Sequence, residues 1–332
     1  MIELNRRTVL TGAVAASAAT ALTPLARSPA LAAASAGKQN AGFYRYKVGD
    51  IEVTVATDGA RSFKLPDKFV VNKTKEEVNK ALEVAFMPRD LMTIYFSPLL
   101  VKAGGKTVLI DAGYGEDMYA KSKGGAGQLR ANLRAAGVDL NAIDMVIISH
   151  FHQDHTNGLL LADGKPAYPN AEIKVPAKEY AFWMDDGEMS RAPKGRMADL
   201  FKDNRRVFVD GLKKKVTPYD WDKEVAPGIT AVGTPGHTPG HTSYVIASGK
   251  DKVFVQSDVT NVPFLFVRNP RWHAVFDQDP AMAEKTRLKV YDMVAAEKLL
   301  IQAYHYPFPG AGHIEKDGDG YRVHPVNWTP AL

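Results

Sequence analysis

Ser149-His150-Phe151-His152-Gln153-Asp154-His155-Thr156-Asn157-Gly158 is the stretch that decides how the rest of this chain is read. Four side chains able to ligate a metal, His150, His152, Asp154 and His155, fall within six residues. Imidazole and carboxylate suit zinc and similar divalent ions. His150 and His152 are two apart, so on extended backbone they project to the same side. Asp154 and His155 are adjacent and point differently, which suits a second, neighbouring ion. The alternative is a polar loop with several surface histidines. With only nine histidines in 332 residues, three in six positions argue against it. The preceding Ile143-Asp144-Met145-Val146-Ile147-Ile148-Ser149 has an apolar centre that reads as a buried parallel strand. The candidate ligands therefore sit where a strand ends and a loop begins, the place where α/β folds gather their sites.

Further along, Ile229-Thr230-Ala231-Val232 reads as a strand. It leads into Gly233-Thr234-Pro235-Gly236-His237-Thr238-Pro239-Gly240-His241, a loop dense in Gly and Pro that holds an unusual backbone path and places His237. Thr242 to Ala247 and Val253 to Ser257 form a hairpin, with Asp258 at the end of its second strand. Asp279-Pro280 is a helix start, a capping Asp followed by Pro at the first helical position, and the helix runs to about Lys298. Leu299-Ile301 then leads to His305, and residues 314 to 326 read as a terminal hairpin. His237, Asp258 and His305 thus recur at strand ends far from the opening cluster.

Upstream, Phe43–Val48 with Ile51–Val55, and Ser97–Val101 with Thr107–Ile110, read as hairpins over Gly49-Asp50 and Gly104-Gly105. Asp111 follows the second. It is either simple turn chemistry or a carboxylate that orients a ligand histidine, and the second reading is preferred. Leu129 to Ala136 reads as a short helix ending at Gly137, and Glu172–Val175 as a strand. Ala177 to Met184 looks helical. Its Phe182-Trp183 pair is either core or the wall of an apolar substrate pocket. Residues 185 to 215 are polar and read as an irregular insertion or lid.

Asn5-Arg6-Arg7-Thr8-Val9-Leu10-Thr11, a mildly apolar stretch, and Ala30-Leu31-Ala32 together form a twin-arginine signal with its cleavage site. The expected division is a signal at 1–32 and one domain at 33–332, exported to the periplasm or beyond. The stretch is too short and too broken by Pro24 for a stable membrane anchor. Of the net charge of +5, Arg6, Arg7 and Arg27 against Glu3 supply two, leaving about +3, which argues against nucleic-acid binding. There is no cysteine, so thiolate ligands, disulfides and a cysteine nucleophile are excluded.

His-x-His-x-Asp-His, then a His in a Gly-His-Thr-Pro-Gly-His stretch, then an Asp and a His, resembles the pattern of the metallo-β-lactamase superfamily. The resemblance implies an α/β, four-layer αββα sandwich. It implies one metal held by His150, His152 and His237 and another by Asp154, His155 and His305, with Asp258 bridging. His241 reads as a supporting or structural residue, and Asp111 as a carboxylate that orients a ligand histidine. The cofactors implied are two divalent ions, foremost zinc, and the resemblance also implies a homodimer. An Asp at position 258 is similar to the lactonase, glyoxalase and phosphotriesterase branches. Glu179–Trp183, His305–Ile314 and Gly320–Asn327 are similar to the methyl parathion hydrolase family of exported dizinc arylphosphotriesterases. That likeness places Trp183, with Phe182, in an aromatic leaving-group pocket. The chain departs from it in its signal and in Val262–Val267, an apolar loop after Asp258.

The expected chemistry is hydrolysis of a neutral small-molecule ester by a hydroxide bridging two metals beside Asp258, which also accepts a proton. Organophosphate triesters are the first substrate class and lactones or aryl esters, such as acyl-homoserine lactones, the second. A non-hydrolytic iron oxidoreductase on the same fold is the reading from another class.

Overall fold

The computed structural model describes residues 39–332, so the expected signal at 1–32 lies outside the described residues. The strands run β1 (Phe43–Val48), β2 (Ile51–Ala56), β3 (Gly59–Lys64), β4 (Leu91–Phe96), β5 (Leu99–Ala103), β6 (Lys106–Ile110), β7 (Met145–Ile147) and β8 (Glu172–Pro176). They continue as β9 (Thr217–Tyr219), β10 (Glu224–Ala226), β11 (Ile229–Gly233), β12 (Thr242–Ser248), β13 (Asp251–Ser257), β14 (Leu300–Ala303), β15 (Ala311–Asp317) and β16 (Gly320–Pro325). Two 7-stranded sheets result, ordered β1-β2-β5-β6-β7-β8-β9 and β10-β11-β12-β13-β14-β15-β16, and β3 pairs with β4 apart from both.

Period-2 alternation assigns the layers. Val53 and Val55 of β2, Val101 of β5 and Val108 and Ile110 of β6 share one core with Ala231, Tyr244, Ile246, Val253 and Val255 of the second sheet. The sheets therefore face each other. Leu100 and Leu109, one residue out of phase, point the other way, against helices Leu129–Ala135, Ala177–Met184 and Arg196–Arg205. Phe254 of β13 likewise points outward to Val290, Tyr291 and Val294 of helix Pro280–Ala296. Burying one such side chain contributes roughly 1.5–3 kcal/mol, so slipping a strand by one residue forfeits several at once. This is the expected αββα order.

The pairing of β6 with β7, β7 with β8 and β13 with β14 is parallel, so several strand ends open on one edge of the sandwich. Asp279 caps helix Pro280–Ala296 by accepting from Met282 N, as the Asp-Pro signal predicts. Residues 185–215 differ from the expected irregular lid. They hold helices Asp186–Arg191 and Arg196–Arg205, and Leu200, Phe201, Val207 and Phe208 are buried in the core. Their apolar residues are spaced for a helix face that the surrounding charges obscure. The segment expected as an apolar loop, Val262–Val267, contains helix Pro263–Phe266, with Leu265 and Phe266 buried beside Phe69. No helix among the described residues is long and apolar enough to cross a membrane.

Candidate metal centre

Five strand ends supply the site. Asp111 follows β6, Ser149 to His155 follow β7, His237 follows β11, Asp258 follows β13 and His305 follows β14. The ligand loop after β7 is held tightly. Asp111 accepts from Ser149 N and from Ser149 Oγ, both at 2.8 Å, and Ala112 N donates to His155 O at 2.8 Å. Asp111 sits at φ 63°, a left-handed conformation that Asp tolerates better than most residues. Gly158 closes the loop against this turn; a Cβ there would lie 1.9 Å from Ala112 O.

The seven candidate ligands converge. His150, His152 and His237 present ligand atoms within 4.8 Å of one another, as do Asp154, His155 and His305, and as do His150, His155 and Asp258. Asp258 Oδ2 lies 3.3 Å from His237 Nε2 and 2.8 Å from His305 Nε2, so it stands between the first two sets. Its Oδ1 is 3.3 Å from His155 Nε2.

Hydrogen bonds around the rim assign the tautomers. His155 Nδ1 donates to Asp111 Oδ2 at 2.8 Å, His237 Nδ1 to Asp277 Oδ1 at 2.8 Å, and His305 Nδ1 to the Tyr95 carbonyl at 2.7 Å. Ser149 Oγ, already donating to Asp111, accepts from His150 Nδ1 at 3.1 Å. In its neutral form each of these rings therefore turns an Nε2 lone pair inward. His152 is the exception. Its Nδ1 faces inward, 3.0 Å from His150 Nε2 and 2.9 Å from His237 Nε2. Lone pairs this close repel unless a cation sits among them. His155 Nε2 and Asp258 Oδ1 are buried without any hydrogen-bond partner, a costly state that a cation relieves. The donor set, imidazole and carboxylate with no thiolate, fits two divalent ions, and zinc suits it.

The electrostatics agree. Burial works against charge on His155, yet Asp111, Asp258 and Asp154 outweigh it and hold the imidazole well above its ordinary pKa. Burial also opposes charge on His237, but its bonds to Asp258 and Asp277 bring it up to about 9. Several buried carboxylates thus favour positive charge at this point. Burial acts to raise Asp258, but His305, His155 and His150 hold it well below the usual carboxylate range. His241 is pushed down to about 3 by burial and by His237. It is therefore neutral: its Nδ1 donates to Thr234 O at 3.0 Å, and its Nε2 accepts from Asp258 N at 3.0 Å. His241 thereby fixes the backbone that carries Asp258.

A cavity of about 530 Å³ opens over the cluster. Its aromatic wall is Phe63, Phe69, Phe96, Tyr114 and Phe276. Trp183 and Phe182, expected in a substrate pocket, do not border it. Trp183 is fully buried with its ring on Phe201, centroids 4.7 Å apart, and its Nε1 donates to Glu179 Oε1 at 2.9 Å. Phe182 packs edge-on to Trp183 and against Phe201. The helix that carries them packs on helix Arg196–Arg205, and that contact claims the aromatic face.

Several residues near the site escaped the sequence reading. Asp277 lies two residues before the helix cap Asp279, and only the cap was legible. Buried Arg287 meets Asp277 Oδ2 at 3.3 Å. Tyr304 stacks on His155 at 4.0 Å and donates to the Asp154 carbonyl at 2.5 Å. Its place next to His305 was the available signal. Glu179 accepts from Phe151 N at 3.0 Å and from Gly240 N at 2.7 Å, clamping the two ligand loops together. Burial pushes its carboxyl up, against the bonds donated by Trp183 and Phe151.

Two facing sheets with these side chains at their shared edge define a superfamily, and the chain belongs to it: residues 97–302 match the family model described as the metallo-beta-lactamase superfamily. Among individual proteins, an N-acyl homoserine lactonase of a Bacillus species is 29% identical over 178 residues, which cover 51% of this chain and 58% of that protein. One from Bacillus thuringiensis is 28% identical over the same length, again 51% and 58%. The chain thus spans little more than half the length of these relatives. Of solved structures, AidC, a dizinc quorum-quenching lactonase in complex with a product, superposes with a TM-score of 0.80 at 26% identity, covering 87% of this chain and 98% of that one. The hydrolase AbOPH of the beta lactamase superfamily gives 0.80 at 26% identity, covering 88% and 100%. None of these carries the methyl parathion hydrolase name that the sequence brought forward.

Proposed function

We propose that this protein is a dinuclear zinc hydrolase of neutral esters, with lactones, N-acyl homoserine lactones foremost, as its substrates. The observation that carries the reading is the convergence of seven candidate ligand side chains, five of which (His152, Asp154, His237, Asp258 and His305) line an aromatic cavity. The likeness to AidC over most of both chains and to the Bacillus lactonases supports lactones over the organophosphate triesters expected first.

His150 Nε2, His152 Nδ1 and His237 Nε2 would hold one ion, Asp154, His155 Nε2 and His305 Nε2 the other, and Asp258 would touch both. Bound there, the ions supply a water ionised near neutral pH and polarise the ester oxygen. The chain's residues do the rest. Asp111, Asp277 and the Tyr95 carbonyl keep the Nδ1 hydrogens on their histidines, so the Nε2 atoms stay available. Asp258 is the proton acceptor in this reading, with Oδ1 as the oxygen lacking a hydrogen-bond partner. Phe63, Phe69 and Phe276 keep water from the apolar part of the substrate.

The aromatic wall favours a second reading, aryl phosphotriesters, in the same site. The deciding experiment screens zinc-loaded protein against N-hexanoyl homoserine lactone, a paraoxon-type triester, an aryl ester and a chromogenic β-lactam. Turnover of the lactone is expected. Turnover of the β-lactam alone, or of nothing with both ions bound, overturns the reading. Export by the twin-arginine route belongs to the same proposal and rests on Arg6-Arg7 and Ala30-Leu31-Ala32. Replacing both arginines with lysine should leave the protein in the cytoplasm, and continued export would refute it. Assembly as a homodimer is also proposed, and a monomer mass in sedimentation would end it.

A further inference from the structure

Two guanidiniums are set in the largely apolar wall of the cavity, Arg61 and Arg196. Among the described residues neither has a carboxylate within ion-pairing distance. Arg61 lies over the Tyr114 ring, 5.7 Å from its centroid. Arg196 opens helix Arg196–Arg205, and its guanidinium lies 5.3 Å from the Phe276 centroid. Its Nη2 is 3.2 Å from His152 Nε2. A neutral ester needs no cation on this wall, so the chemistry derived so far leaves both arginines unused. Asp154 and Asp277 act on Arg196 only from beyond ion-pairing distance, and a guanidinium with one face on an aromatic ring and no paired carboxylate is suited to receive an anion.

His152 indicates where. It alone among the cluster histidines turns Nδ1 inward. As a neutral ligand through Nδ1 it carries its hydrogen on Nε2. That hydrogen then faces a second donor, Arg196 Nη2, across 3.2 Å. Two donors so placed repel each other, and an acceptor oxygen held between them resolves the conflict. Metal ligation by His152 therefore converts the Arg196 contact from a hydrogen bond into a two-donor cradle at the cavity wall.

We propose that Arg196 and His152 Nε2–H form an anion subsite for the carboxylate of an amphiphilic acid, with its apolar tail against Phe63, Phe69 and Phe276. The acid is the class of molecule that ester or lactone hydrolysis releases, and in that identity the inference rests on the hydrolase reading. The subsite distinguishes product from substrate, because the neutral ester lacks the charge that Arg196 answers. It makes Arg196 a specificity residue that holds the cleaved acid and slows its release.

The test is calorimetric titration of zinc-loaded protein with hexanoate and, as the uncharged control, hexanamide, for the wild type, Arg196→Met and Arg196→Lys. Zinc content is measured on each. Arg196→Met should weaken hexanoate about tenfold, the scale of a charge-assisted hydrogen bond. Arg196→Lys should recover part of the loss, since the charge stays but the fork goes. Hexanamide should change less than about twofold. Equal hexanoate affinity in wild type and Arg196→Met overturns the subsite. So does an equal loss for both ligands, which would mean packing alone, and so does a fall in zinc content. Intact discrimination without any ester turnover would sink the hydrolase reading and leave the subsite standing; turnover without discrimination would do the reverse.

Discussion

Asp277→Asn tests whether the rim carboxylates tune the centre or merely fill space. Asp277 Oδ1 accepts from His237 Nδ1 at 2.8 Å, and Oδ2 faces Arg287 Nη2 at 3.3 Å. The two side chains are 3% and 2% exposed, so water cannot replace either contact. Asparagine offers one acceptor and one donor. Whichever way its amide turns, an NH2 group confronts Arg287 or His237 Nδ1–H. Breaking a buried ion pair typically costs about 3–5 kcal/mol. Arg287 keeps its bonds to the carbonyls of Val259 at 3.2 Å, Pro270 at 2.8 Å and Trp272 at 2.8 Å. The low end, about 3 kcal/mol, is therefore expected. On the metal side, losing an orienting partner lowers affinity about 10–100-fold. Competition with a chromophoric chelator reads the affinity, and urea unfolding of the metal-free and zinc-loaded forms reads the stability. One ion should weaken at least tenfold while the other holds. Wild-type affinity for both ions would refute the argument that His237 depends on Asp277 for its tautomer.

Three further outcomes follow from the same geometry. Asp258→Ala removes the carboxylate between the two donor sets, so zinc retained after dialysis should fall from two ions to one with most turnover lost; two ions and full activity would end the bridging role. Trp183→Phe takes the indole donor from Glu179 and leaves a small void, which should destabilise the fold by about 1–3 kcal/mol without moving KM. A large KM change at unchanged stability would return the ring to the pocket wall. Glu77 is held down to about 2, from 4.5, first by the Thr74 backbone N–H and then by the Thr74 hydroxyl and Lys73. A depressed carboxyl stabilises above its unfolded pKa and loses that contribution as pH falls. Melting curves of wild type and Glu77→Gln should therefore converge as pH drops from 4.5 towards 2, and a gap that widened would contradict the sign.

The candidate ligands were legible because metal chemistry allows few residue types, because they fall at strand ends whose apolar alternation was itself readable, and because their order resembles a known superfamily pattern. His150, His152, Asp154, His155, His237, Asp258 and His305 needed no tertiary information to be named, nor did Asp111, His241 or the Asp279-Pro280 helix start. The cavity wall was a different matter. Phe63, Phe69 and Phe276 come from segments some two hundred residues apart, and no local pattern joins them. Phe182 and Trp183 could have faced either way, since a short helix presents whichever face its neighbour buries, and Phe201 of helix Arg196–Arg205 decided it. Asp277 and Arg287 are ordinary charged residues until the fold removes water from both. Which side chains could bind a metal was a question of chemistry, already answered along the chain. Which side chains surround that metal depended on burial, and only the packed sandwich creates burial.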